Sequence, residues 1–250
     1  MSPFLLLGQE GKIRWITINR PEKHNAFAPG LLEEIDAALD AAAADAATAA
    51  VVITGAGKAF AAGNDIAALA AMEPTAAYRD MVAGHRLMQR IHEFAKPTIA
   101  MVNGYALGGG FELALACDFI VASTAARFGF PEISLNTMPG WGGTQLAVKK
   151  MGLAHAKEMV LSGRHYRVDE CRHFGFITRL AEPEALRAET RVFAETLTRN
   201  HPFAMEMAKR AVNRAADLPL AAGLEFEAVA YSLNFGTPHA AAGFRHFLER

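Results

Sequence analysis

Two glutamates and two small-residue loops carry whatever chemistry this chain performs. Glu112 follows the triple glycine Gly108-Gly109-Gly110, and that turn is preceded by the apolar, partly β-branched run Thr98-Ile99-Ala100-Met101-Val102. Strand, glycine turn, helix start is the order of the pieces. A helix start aims unpaired backbone N–H groups outward from the positive end of a dipole. Such donors hold a phosphate, or an oxygen that becomes anionic during a reaction. A glycine turn forced by close helix–strand packing explains the same residues equally well. A second loop, Ala61-Ala62-Gly63-Asn64-Asp65, is small enough for a ligand to approach its main chain, and Asp65 there also suits the cap of a following helix. The other glutamate, Glu132, follows Pro131 among apolar neighbours. A carboxylate in apolar surroundings has a raised pKa and suits proton transfer near neutral pH. Proline at the first helical position with an acid beside it is also a common surface arrangement. The bend Met138-Pro139-Gly140-Trp141-Gly142-Gly143-Thr144 places Trp141 beside a site or in the core. Lys23 and His24, in a polar loop, suit either an anionic ligand or plain solvation.

The elements that must position these residues can be read in order. Residues 4–9 and 12–19, split by Glu10-Gly11, predict a β-hairpin whose second arm is covered on both faces. Helix follows over residues 29–47, where Leu31, Ile35 and Leu39 keep helical spacing ahead of an alanine run. Val51-Val52-Ile53-Thr54-Gly55 predicts a buried strand, residues 56–65 a loop, and Tyr78, Met81, Val82, His85, Met88 and Ile91 a long helix ending before Pro97. Further strands are expected at residues 119–122 and 177–180. Strands separated by helices predict a mainly parallel sheet with right-handed crossovers. If the strands at 51–55 and 98–103 are neighbours, both donor loops leave the same carboxyl edge, where ligands bind in open α/β folds. Beyond residue 183 come helical stripes with no intervening strand, punctuated by Pro202, Pro219 and Pro238. Leu224, Phe226, Phe235, Phe244 and Phe247 in this tail serve either to cover the core or to form a subunit interface. No internal repeat is legible.

Composition narrows the function classes. The chain has 250 residues, 52% of them hydrophobic and 20% charged, enough for one large domain with a helical appendage. A net charge of -1 gives no footprint for nucleic acid or a membrane surface. No apolar run reaches membrane-spanning length, and no basic segment opens the chain, so a cytoplasmic location is expected. Cys117 and Cys171 are expected to be buried free thiols. A phosphate-binding loop, a dinucleotide fingerprint and a serine elbow are all missing, and His92-Glu93 lacks the second histidine of a zinc helix.

Three ordered motifs together identify a relative. Residues 59–66 (Ala59-Phe60-Ala61-Ala62-Gly63-Asn64-Asp65-Ile66), residues 104–118, and residues 128–132 leading to Pro139-Gly140-Trp141-Gly142-Gly143-Thr144-Gln145 resemble the enoyl-CoA hydratase/isomerase (crotonase) superfamily. Asn19-Arg20-Pro21 through Asn25-Ala26 resembles its opening loop. The resemblance covers nearly the whole chain. It implies an α/β fold built as a spiral of ββα turns over residues 1–182, in place of a doubly wound sheet. A C-terminal helical trimerisation region, residues 183–250, is implied to complete a homotrimer or a dimer of trimers. It implies an oxyanion hole from the N–H groups of Asn64 and Gly109, gripping a coenzyme A thioester oxygen, with Glu112 and Glu132 as the catalytic pair. Contacts to coenzyme A are implied for Lys23, His24, Ala26, Asn64, Asp65, Ile66, Ala67 and Gly109, and an acyl-pocket place for Trp141. The implied reaction is hydration of a trans-2-enoyl-CoA, with no metal and no cofactor beyond the coenzyme A of the substrate. Enoyl-CoA isomerisation by one glutamate, or acyl-CoA binding without turnover, are the alternatives. The chain departs from the family in having Asn64 where many hydratases have alanine and Trp141 where a small residue is usual. It also lacks the arginine expected after Gln145.

Overall fold

The computed structural model describes residues 4–249. Strands β1 (Leu5–Glu10) and β2 (Ile13–Ile18) form the antiparallel hairpin, and helix α1 (Leu31–Ala44) follows. Leu31, Ile35, Ala38, Leu39 and Ala42 make one buried stripe along α1. The helix stops at Asp45, whose carboxylate accepts from the Thr48 hydroxyl at 2.7 Å, so the alanine run divides between helix and turn. Next come β3 (Ala50–Gly55), β4 (Ala59–Ala61), α2 (Ile66–Ala70), α3 (Pro74–Glu93), β5 (Thr98–Val102), β6 (Tyr105–Leu107) and α4 (Gly109–Ala116). Then follow β7 (Phe119–Ser123), β8 (Arg127–Gly129), a 3-10 turn at Pro131–Leu135, and α5 (Gly143–Ser162), kinked at Gly152. The rest is β9 (Tyr166–Arg167), α6 (Val168–Cys171), β10 (Arg179–Ala181), α7 (Leu186–Leu197), α8 (Pro202–Ala215), α9 (Leu220–Phe235) and α10 (Pro238–Leu248).

The larger sheet has six strands in the order β1-β2-β3-β5-β7-β10, parallel everywhere except the hairpin. A second sheet of four short strands runs β4-β6-β8-β9, with β4, β6 and β8 parallel. Each of the pairs β3/β4, β5/β6 and β7/β8 therefore sends its first strand to the large sheet and its second to the small one before a helix returns the chain. That repeat is the ββα spiral. Residues 56–65, expected as plain loop, contain β4, and β6 lies between the expected strand at 98–102 and the triple glycine. Strands of three residues are too short to show alternation, and Ala59, Ala61 and Ala106 carry no strand preference of their own.

Alternate residues on the long strands feed two cores. Ile16, Ile18, Val51, Ile53 and Ala100 face α1, α3 and α4, while Ile13, Trp15, Val52, Ile99 and Val121 face the other way. The second face is closed by Leu186, Phe193 and Ala194 of α7. Cys117 and Cys171 are buried free thiols, and burial pushes both up to about 12, so they are unreactive at neutral pH. No helix among the described residues is long and apolar enough to cross a membrane.

A mostly buried ion pair ties α8 to this core. Lys209 Nζ on α8 donates to Asp118 Oδ2 at 2.8 Å, with the two side chains only 11% and 12% exposed. The same oxygen accepts from the Thr98 N–H and hydroxyl. Removing one member of such a pair strands its partner in a dry site. Asp118→Ala is expected to lose about 3–5 kcal/mol in urea unfolding.

Candidate active site

Glu112 lies in the first turn of α4 and is 2% exposed. The burial is possible because a second helix start faces it. Glu112 Oε1 accepts from the Trp141 N–H at 2.8 Å and from the Gly143 N–H at 2.6 Å, at the beginning of α5. Both bonds favour the ionised form, whereas loss of hydration, the largest influence, and the charge of Glu132 oppose it. The balance raises the Glu112 pKa to about 7.

Glu132 is held in the 3-10 turn that Pro131 opens. Its Oε2 is sealed from solvent and has no hydrogen-bond partner. Desolvation raises its pKa to about 7 as well. The Gly108 backbone passes directly beneath this carboxyl. A Cβ at Gly108 would sit 2.8 Å from Glu132 Oε1, and the residue's φ of 49° with ψ of -127° is closed to side-chain-bearing residues.

The two donor loops meet at the same place. Strands β3 and β5 are parallel neighbours, as the shared-edge expectation requires. Phe27 pairs with the Asn64 loop as an isolated parallel bridge, its N–H donating to Gly63 O at 2.9 Å and its carbonyl accepting from the Asp65 N–H at 3.1 Å. Pairing through the flanking residues turns the Asn64 N–H away from Phe27. Gly109 opens α4, so its N–H has no carbonyl within the helix to reach. A Cβ placed on Gly63 would lie 3.6 Å from the Gly109 nitrogen, which measures how closely the loops approach. Asn64, Gly109, Glu112 and Glu132 all line one cavity of about 550 Å³, together with Trp141 and Ile66.

The remaining expected residues divide. Lys23 and His24 are exposed and Ala26 is half-buried; with Ala67 they lie outside that cavity. Their loop runs alongside it: His24 O accepts from the Ala62 N–H at 3.0 Å. Asp65 caps α2 by accepting from the Ala67 N–H and pairs with Arg20 at 3.2 Å, so its carboxylate is committed to structure and held below the usual carboxylate range. Several contributors escaped sequence reading. Asn25 is fully buried, accepts from the Arg20 N–H, and donates to Ala56 O and Ala59 O, pinning the opening loop to the β3–β4 turn. Met81, Leu135 and Met138 supply apolar lining from elements distant in sequence. Nothing in their local pattern marks them out. For Asn25 the signal was its place in the opening-loop motif.

Residues 8–250 match the family model described as enoyl-CoA hydratase/isomerase. A probable enoyl-CoA hydratase of Rhizobium meliloti is 40% identical over 98% of this chain and 95% of its own length. The short-chain-enoyl-CoA hydratase of Clostridium acetobutylicum is 35% identical with the same coverage. Among solved structures, the enoyl-CoA hydratase of Bacillus anthracis superposes with a TM-score of 0.94 at 32% identity, covering 98% of this chain and 96% of that one. The chain belongs to the enoyl-CoA hydratase/isomerase family.

The raised pKa of Glu132 has a consequence for stability. A carboxyl whose folded pKa exceeds its unfolded value keeps its proton preferentially in the folded state. Stability is then lost as pH rises from the unfolded pKa to the folded one. For Glu132 that window runs from 4.5 to about 7. Glu132→Gln removes the penalty, so the variant should gain more stability over the parent at pH 8 than at pH 5, by about 2 kcal/mol in chemical denaturation.

Proposed function

We propose that this protein hydrates trans-2-enoyl-CoA thioesters to 3-hydroxyacyl-CoA. The observation that carries the reading is that a buried carboxyl, Glu112, a half-buried one, Glu132, and the Asn64 and Gly109 loops share one cavity. The thioester oxygen accepts from the Asn64 and Gly109 N–H groups. Water adds its oxygen to C3 and gives a proton to Glu112, whose anion the Trp141 and Gly143 N–H groups favour. The C2–C3 π electrons move through the thioester carbon onto the oxygen, where the donors stabilise them; one such donor is worth about 3–4 kcal/mol in other enzymes. The enolate then collapses and C2 takes the proton of Glu132. A proton passing from Glu112 to Glu132 restores the starting state. Glu132, with Oε2 buried and unpartnered, is the carboxyl that stays protonated when the pair shares one proton.

Coenzyme A lies, in this reading, along the opening loop and the start of α2, with Lys23, His24, Ala26, Asp65, Ile66 and Ala67 at its path. The protein assembles as a homotrimer or a dimer of trimers. Leu220, Phe235 and Phe247 on α9 and α10 are 79%, 57% and 77% exposed in the single chain, which supports a covering partner copy. Sedimentation equilibrium should return a trimer or hexamer mass; a monomer mass would refute that assignment.

Crotonyl-CoA and a 3-enoyl-CoA, incubated separately while the conjugated thioester absorbance is followed, test the activity. Hydration removes the absorbance of the first; isomerisation alone creates it from the second; tight binding without either change marks a non-catalytic member. Glu132→Gln should lower kcat by about 10²–10⁴. The pH profile of kcat/KM should be bell-shaped around 7. Acid protonates the base Glu112 and alkali deprotonates the acid Glu132, so the profile falls on both sides. In Glu132→Gln the residual activity should lose its alkaline limb; a limb that persists unchanged assigns the acid to another group.

A further inference from the structure

The hydratase reading leaves the acyl chain unspecified, and the inference here rests on that reading. Beside the reaction cavity lies a second one of about 340 Å³, lined by Phe27, Leu32, Ala68, Ala76 and Ala83 among others. The two cavities share Asn64, Leu69, Met72 and Trp141 as a common wall. Trp141 is the bulk of that wall and is 2% exposed.

The indole is fixed from several directions. Its Nε1 donates to Asp80 Oδ2 on α3 at 3.2 Å. Its ring stands edge-on to Phe27, with centroids 4.9 Å apart. Gly84 of α3 leaves it room: a Cβ there would lie 2.1 Å from the indole Cδ1. At the other edge, a Cβ on Gly109 would lie 2.8 Å from Cζ3. The ring thus reaches from α3 to the helix start that offers an oxyanion donor. The backbone N–H of Trp141 donates to Glu112 and ties this residue to the carboxyl, so carbons beyond C3 of a substrate placed at the two carboxyls meet the indole.

We infer that Trp141 is a rigid partition that ends the acyl pocket and restricts this enzyme to short-chain enoyl thioesters. The second cavity is the space a longer chain needs and is denied. Glu33, Asp65, Arg79 and Asp80 line it beside the apolar groups; the barrier between the two spaces is the ring itself, and removing the ring joins them.

The test compares kcat/KM for crotonyl-CoA and trans-2-decenoyl-CoA in the parent, Trp141→Ala and Trp141→Leu. The parent should favour crotonyl-CoA. The decenoyl-to-crotonyl ratio should rise at least about tenfold in either variant, in keeping with what a few methylenes are worth in a pocket. Adding Ala83→Phe, which refills the second cavity, should return the ratio toward the parent's. Ala83→Phe alone should leave the parent's ratio unchanged, because no chain reaches that cavity. Calorimetric affinities for butyryl-CoA and decanoyl-CoA should shift in the same direction and need no turnover. A ratio within about twofold of the parent's in a folded Trp141 variant, or a parent that loses decenoyl-CoA activity on Ala83→Phe alone, overturns the inference. Absence of hydration in every protein, with the binding shift intact, overturns the hydratase reading and leaves the partition standing.

Discussion

The hydrogen bonds from the start of α5 to Glu112 are the contact on which the site depends. A carboxylate removed from water is tolerated only when other dipoles replace its hydration. Here two backbone N–H groups, at 2.8 and 2.6 Å, do so for one oxygen of Glu112. The same bonds fix where α5 begins and therefore where residue 141 stands. Its indole then packs across to α3, between the reaction cavity and the space beyond it. One electrostatic requirement thus sets both the state of a carboxyl and the shape of the pocket.

Spiral topology makes that meeting possible. Each ββα turn delivers one loop to the same edge: the Asn64 loop after β4, the Gly109 helix start after β6, and the Glu132 turn after β8. The parallel pairing of β4, β6 and β8 stacks these three exits side by side. Burial raises the cost of ionising both carboxyls, and the charge of Glu132 raises it further for Glu112. Such a pair holds one proton near neutrality, which suits a reaction that needs an acid and a base together.

Much of the fold was legible because long elements carry their period openly. The hairpin, α1, the strands at 51–55 and 98–102, and the tail helices follow from apolar spacing and from Gly and Pro punctuation. The small sheet was not legible, since three-residue alanine-rich strands have too few positions to show a pattern, and their pairing comes from spiral neighbours. Glu112 and Glu132 each had a bland reading, a dipole-favourable helix residue and a surface acid after proline. Burial of Glu112, and of one oxygen of Glu132, beside one cavity is what separates the readings, and burial is a property of the assembled chain.

Residue types and their order by themselves determined the candidate groups: two glutamates, two small-residue loops, and the three motifs that place the chain in its family. Those are local properties, carried by glycine's conformational range, proline's stop signals and the chemistry of a carboxyl. Tertiary structure alone decided that Trp141 and Gly143 donate to Glu112, that Glu132 keeps an unpartnered oxygen, that Asp65 is committed to Arg20, and that an indole separates two cavities. Each of these is a contact between segments tens of residues apart, and no local pattern encodes the distance between them.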